Sequence, residues 1–176
     1  MTCIIALMEK DGTCWMAGDR AVSGPDYGWQ EILPSPKIVR HQDVLIGASG
    51  YGEHWAILTT LELPPVEDDL KRWAVKTLIP WWRKLDCYTK DREASILIAG
   101  RGRIISANTV GAATEGSRGY LGIGYSGAAE AILWAASCGV FTPTRSPAEL
   151  LKLAMLAEQD QSPAVRGPFD IVSDKP

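Results

Sequence analysis

Histidine is almost absent from this chain, and cysteine is sparse and scattered. His41 and His54 are the only imidazoles in 176 residues, so a histidine-rich metal centre or a Ser-His-Asp triad has little to draw on. Cys3, Cys14, Cys87 and Cys138 stand far apart with no CxxC pair. That spacing speaks against a zinc site, a redox pair or a disulfide framework, and for buried thiols in a reducing, cytoplasmic setting. No apolar run approaches the roughly 20 residues a membrane-spanning helix needs, and no signal-peptide pattern opens the chain. A net charge of −3 leaves no basic footprint for nucleic acid or acidic lipid. There is no GxxxxGK[ST] phosphate loop, so any ATP-driven step has to come from another protein. The stretch Gly47-Ala48-Ser49-Gly50 misses the GxSxG spacing of a serine nucleophile elbow.

What is present is the balance of a folded domain. Hydrophobic residues make up 46% and charged residues 22%, and the length is enough for one sizeable core spanning 1–176. Seven tryptophans are a heavy load; most read as core, with Trp81-Trp82 a candidate subunit contact.

Two apolar runs, Thr2 to Met8 and Thr13 to Asp19, flank an Asp11-Gly12 turn and predict a hairpin. Ser23 to Pro36 carries Gly24, Pro25, Gly28 and Pro34 without periodicity and reads as a loop. Lys37 to Arg40 and Val44 to Ser49 predict a second strand pair, followed by a helix from Gly50 to about Leu63 that Pro64-Pro65 stops. Glu67, Asp68 and Asp69 then open a helix with apolar residues at 3.6-residue spacing, which Pro80 is expected to kink. A third hairpin, Ser95 to Ala99 with Arg103 to Asn108, precedes a short strand near Leu121 and an alanine-rich helix over 127–137. Ser146-Pro147-Ala148-Glu149 is a capping box, so a last helix begins there, and Phe169 to Val172 supply a final strand. This order fits antiparallel sheets packed face to face with helices outside, an α+β arrangement.

The chemistry concentrates at the start. Thr2 follows the initiator methionine, and its small side chain should permit removal of Met1. The chain would then begin with a hydroxyl nucleophile and a free α-amine on one residue. An N-terminal amine is one recognised activator of such a hydroxyl, and its reference pKa of about 7.7–8.0 suits a general base near neutral pH.

Several segments in order then resemble the proteasome-type N-terminal-nucleophile hydrolases, most closely the bacterial HslV peptidase. These are Thr2-Cys3-Ile4-Ile5-Ala6-Leu7, Lys10-Asp11-Gly12, Trp15-Met16-Ala17-Gly18-Asp19, Pro36-Lys37-Ile38-Val39-Arg40 and Val44-Leu45-Ile46-Gly47-Ala48-Ser49-Gly50. Ala94 to Gly100 and Gly122-Ile123-Gly124-Tyr125-Ser126-Gly127 complete the set. The resemblance implies a four-layer αββα sandwich and a threonine-type peptidase acting on polypeptides, with no cofactor or metal. It implies a homo-oligomeric ring, stacked in pairs and fed by an HslU-type hexameric ATPase. Residue by residue, it implies Thr2 as nucleophile, Lys37 as the active-site lysine, Asp19 as the acid that holds that lysine, and Gly47 as the oxyanion donor. Ser126 is the candidate partner of the Thr2 amine. Because the lysine serves charge rather than packing, Lys37→Ala is expected to cost little stability.

The chain departs from that pattern in three places. An ungapped match puts Tyr125 where the family has serine, with Ser126 one step later. Asp160 and Ser162 have the wrong spacing for the family's supporting acid and serine. The segment between Asp19 and Lys37 is enlarged. Gly122 to Gly127 is also formally GxGxxG, but Ala131 to Ala148 contains no acid and the strand-rich opening disfavours a dinucleotide fold. The main alternative is a relative that keeps Met1 and the ring-forming fold without activity.

Overall fold

The computed structural model describes residues 2–23, 30–50, 52–85, 93–140 and 146–175. Met1, Cys87 and the middle of the enlarged 19–37 segment, positions 24–29, lie outside the described residues.

Alternation of apolar side chains on both faces makes β1 (Cys3–Met8) a central strand. Cys3 and Ile5 are buried on one side, and Ile4 and Ala6 on the other. It pairs antiparallel with β2 (Cys14–Asp19) from Ile4↔Gly18 to Met8↔Cys14. β10 (Tyr120–Gly124) adds to its other edge from Leu7↔Tyr120 to Cys3↔Gly124, and β11 (Phe169–Ser173) closes the far side of β2. The result is an antiparallel sheet in the order β10-β1-β2-β11. A second antiparallel sheet runs β5 (Ile38–His41), β6 (Val44–Ser49), β7 (Ser95–Gly100), β8 (Arg103–Asn108) and β9 (Ala113–Glu115).

Three apolar layers hold four layers of structure together. Ile4, Ala6, Met16, Leu45, Leu97 and Ile104 interdigitate between the sheets. The outer face of the first sheet packs on α4 (Gly127–Ser137) and α5 (Pro147–Gln161) through residues such as Ile5, Leu133, Leu151 and Met155. The second sheet packs Ile46, Ile96 and Ile98 against α1 (Gly52–Thr60), α2 (Leu70–Trp73) and α3 (Ile79–Arg83). This is the αββα sandwich expected above.

Local signals account for the starts of two helices. Ser146 and Glu149 form the reciprocal cap of α5, and Asp69 accepts from the Lys71 and Arg72 amides at the start of α2. Other expectations need correction. The predicted loop holds a small two-stranded sheet, β3 (Ala21–Ser23) on β4 (Gln30–Ile32), whose three-residue strands are too short to show a period. β9 was equally invisible. Just ahead of Pro80, a π-helical turn over Ala74–Leu78 joins α2 to α3. The wider turn accommodates a residue that has no amide to donate. Helix α1 ends at Thr60, short of Leu63.

The Trp81-Trp82 pair divides its roles. Trp82 is fully buried, with its indole N–H on His54 Nδ1 at 3.3 Å and its ring edge-on to Trp81, so it belongs to the core and is not a contact surface. Trp82→Ala is expected to lower the free energy of unfolding by about 3–5 kcal/mol, read from the urea midpoint; a loss below about 1 kcal/mol would contradict its place in the core.

Candidate active site

Three strand ends converge where the two sheets meet. Thr2 immediately precedes β1, Asp19 ends β2 and Lys37 immediately precedes β5. All three side chains are buried, at 5%, 0% and 2% exposure. Lys37 Nζ donates to Thr2 Oγ1 at 2.8 Å and to Asp19 Oδ1 at 3.1 Å, and it also donates to the Ala21 carbonyl. An ammonium has three hydrogens, and each has an acceptor here.

Asp19 is held as firmly. Its Oδ1 also accepts from the Cys3 amide at 2.9 Å, and Oδ2 accepts from the Ala21 amide at 3.1 Å. Acceptance on both oxygens suits the ionised form. Burial pushes its pKa up, and Lys37 with the two amides opposes that shift. Burial likewise pushes the Lys37 ammonium below the ordinary lysine value, with Asp19 as the main opposing influence. Burial thus works against both charges, and the contacts that favour them form a buried salt bridge at 3.1 Å, one hydrogen bond from a hydroxyl.

The chain segment that delivers Lys37 is tied down on both sides. Trp55 Nε1 donates to the Pro36 carbonyl at 2.9 Å. Arg20 donates to the Pro34 carbonyl at 3.0 Å and grips Asp170 of β11 with two bonds at 2.8 and 2.5 Å. Nothing in the sequence pattern singled out Arg20, because its partners are distant and the bonds run partly to backbone.

On the other side, the Tyr125 amide donates to the Thr2 carbonyl at 2.8 Å, so the backbone of Tyr125 lies opposite Thr2. Gly124, at φ +76, has to be glycine: a Cβ there would stand 2.0 Å from the Thr2 carbonyl oxygen and 2.6 Å from Ser49 Oγ. Ser126 is buried and opens α4, and its hydroxyl makes no hydrogen bond among the described residues. Gly47 lies in β6 opposite Ile38 and Leu97. A Cβ on it would meet Ile4 Cδ1 at 2.9 Å, so close packing of the sheets is itself a reason for glycine. Asp160 is exposed, and Ser162 accepts from the Ala164 amide at the end of α5. Neither is joined to Thr2.

The neighbouring thiol is not a competing nucleophile. Cys3 is fully buried, its Sγ lies 3.7 Å from Met155 Sδ, and its pKa is raised by burial first and then by Asp19 and Glu158.

No protein-family model and no curated protein matches this chain. Solved structures match it in fold across almost its whole length. Eukaryotic HslV from Trypanosoma brucei is 21% identical with a TM-score of 0.76, over 98% of this chain and 98% of that one. BPH from Thiobacillus denitrificans, solved in complex with epoxomicin, is 20% identical with a TM-score of 0.75, over 97% of each chain. Anbu, an ancestral beta-subunit, from Yersinia bercovieri is 14% identical with a TM-score of 0.66, over 98% of this chain and 81% of that one. The fold is therefore the HslV-like, proteasome-type α+β fold.

Burial revises what Lys37 is worth. The sequence alone treats it as a charge with no packing role, yet removing it strands the Asp19 carboxylate in the interior. Lys37→Ala is expected to cost about 3–5 kcal/mol of stability, and the double variant Lys37→Met/Asp19→Asn to cost less than that. Urea unfolding of both decides it; an unchanged midpoint in Lys37→Ala would contradict the buried pair.

Proposed function

We propose that this chain is a threonine-type endopeptidase subunit with Thr2 as its N-terminal nucleophile. The single observation that carries the reading is the 2.8 Å bond from a buried, Asp19-paired lysine to the Thr2 hydroxyl. A buried ion pair is costly to hold, and its placement against a hydroxyl at the start of the chain is the arrangement an activated nucleophile needs. The proteasome-type fold supports the reading, as does the structure of the similar BPH protein with epoxomicin.

With Met1 removed, the neutral Thr2 amine accepts the hydroxyl proton as Oγ1 attacks a peptide carbonyl. The C–O bond forms, and the carbonyl π electrons move onto oxygen. The Lys37 ammonium stabilises the developing negative charge on Oγ1 and lowers the pKa of the amine. The Gly47 amide is assigned to the oxyanion and the Ser126 hydroxyl to the amine. Collapse of the intermediate breaks the C–N bond, and the Thr2 ammonium returns its proton to the departing amine. Water, deprotonated by the same amine, then hydrolyses the acyl ester and frees the hydroxyl. The substrate is an unfolded polypeptide.

We assign the chain to a homo-oligomeric ring, stacked in pairs, in the cytoplasm, with an HslU-type ATPase as partner. A closed chamber gives a physical reason for an unselective nucleophile to be harmless to its host. No helix among the described residues is long and apolar enough to cross a membrane.

Intact-mass measurement tests the nucleophile. The purified protein is expected to lack Met1 and to gain one adduct with a peptide epoxyketone, while Thr2→Ala gains none. Retention of Met1 in every molecule would point instead to an inactive relative that keeps the ring-forming fold. The pH profile of kcat/KM provides a second test. It should rise as the amine loses its proton, at or below its reference of about 7.7–8.0, and fall as Lys37 loses its own. Because burial lowers Lys37, the alkaline limb should lie below the ordinary lysine value of about 10.4. Activity that persists undiminished above that value would exclude Lys37 from the mechanism.

A further inference from the structure

Among the described residues, two helices begin at a serine, and the two serines behave differently. Ser146 has the extended backbone of an ordinary N-cap, φ −62 and ψ 158, and its hydroxyl accepts from the Glu149 amide. Ser126, at the start of α4, has φ −136 and ψ 6 and makes no side-chain cap. The amides that its hydroxyl would normally serve are the second and third of the helix, Ala128 and Ala129. Both are already taken. Glu158 reaches across from α5, and its Oε2 accepts from Ala128 at 2.8 Å and from Ala129 at 3.1 Å. Its side chain belongs to a residue only 4% exposed, on the face of α5 turned toward α4. A carboxylate outcompetes a neutral hydroxyl there, because the bonds are charge-assisted and a helix N-terminus favours negative charge.

The turn that leads into α4 is pinned from a second direction. Glu130 accepts from the Gly122 amide at 2.6 Å, and a Cβ on Gly122 would lie 2.6 Å from Ser126 Oγ. Ser126 thus packs over β10 rather than over its own helix. Its chain neighbour, Tyr125, is the residue whose amide holds the Thr2 carbonyl.

We propose that Glu158 is a positioning residue for the Thr2 site: it caps α4 in place of Ser126 and so keeps the Ser126 hydroxyl free for the Thr2 amine. The inference rests on the reading of Thr2 as nucleophile with Ser126 serving its amine. Glu158 touches neither substrate nor Thr2; it acts through Ser126. The segment Ser126 to Glu130 gives no hint of this, since serine before an alanine-rich helix reads as an ordinary self-cap.

A double-mutant cycle on the full-length protein tests it. Glu158→Ala releases the Ala128 and Ala129 amides, so Ser126 is expected to turn and cap them itself. Peptide kcat should fall about tenfold with KM unchanged, a coupling in the range seen within one hydrogen-bond network. Ser126→Ala should lower kcat by a similar factor, and the double variant should be no slower than Ser126→Ala alone. Glu158→Gln, which keeps one acceptor oxygen, should recover most of the rate, and it serves as the folded comparison if Glu158→Ala is unstable. Multiplying losses in the cycle, or a fall confined to KM, would overturn the proposal. A crystal structure of the Glu158 variant separates this idea from the functional reading beneath it. Ser126 Oγ within hydrogen-bond distance of the Ala128 or Ala129 amide supports the exchange even if wild-type turnover is absent. An unmoved Ser126 refutes it even if turnover is present.

Discussion

A buried ammonium group whose three hydrogens go to Asp19, Thr2 and the Ala21 carbonyl is the constraint around which this molecule is arranged. Desolvating Lys37 and Asp19 costs several kcal/mol per ion, and mutual attraction offsets this only when every remaining donor and acceptor is satisfied. That condition is met: Lys37 has three acceptors, and Asp19 receives two backbone amides besides the lysine. A hydrophobic trio would hold the same strand ends together without that penalty. Stability alone is therefore a poor reason for the pair, and the proposed activation of the Thr2 hydroxyl supplies another.

The sandwich exists, in this view, to bring three remote strand ends to one point. Asp19 and Lys37 are 18 residues apart in sequence, and Thr2 and Lys37 are 35. Their meeting depends on how closely the sheets approach. At Gly47 and Gly18 the facing side chains Ile4 and Ile38 fill the space that a Cβ would occupy, so the sheets settle at a distance that lets β5 deliver Lys37 beside β1. The Arg20–Asp170 pair and the Trp55 bond to Pro36 then fix the segment before Lys37 in place. The Thr2 carbonyl is anchored from the opposite side by Tyr125.

Features set by local chemistry were legible in the sequence. The Asp-Gly hairpin, the Ser146 capping box and the apolar spacing of the second helix need only neighbouring residues, and each is found where it was expected. The meeting of Thr2, Asp19 and Lys37 was legible only through the order of motifs. What escaped depends on distant partners. Three-residue strands such as β3 and β9 have no period, and the π turn before Pro80 has no sequence pattern of its own. The burial of Lys37 could not be read from a lysine at a strand start. Nor could the role of Glu158, whose donors are backbone amides on another helix.

The central claim is that a free amine on Thr2 is the base for its own hydroxyl. The most direct test compares hydrolysis of a fluorogenic peptide by protein that begins at Thr2 with hydrolysis by the same protein carrying Met1. The two share Lys37, Asp19 and the whole fold, and differ in whether the Thr2 nitrogen is an amine or an amide. The account predicts turnover by the first and none by the second. Equal rates from both would show that the base lies elsewhere and would contradict it.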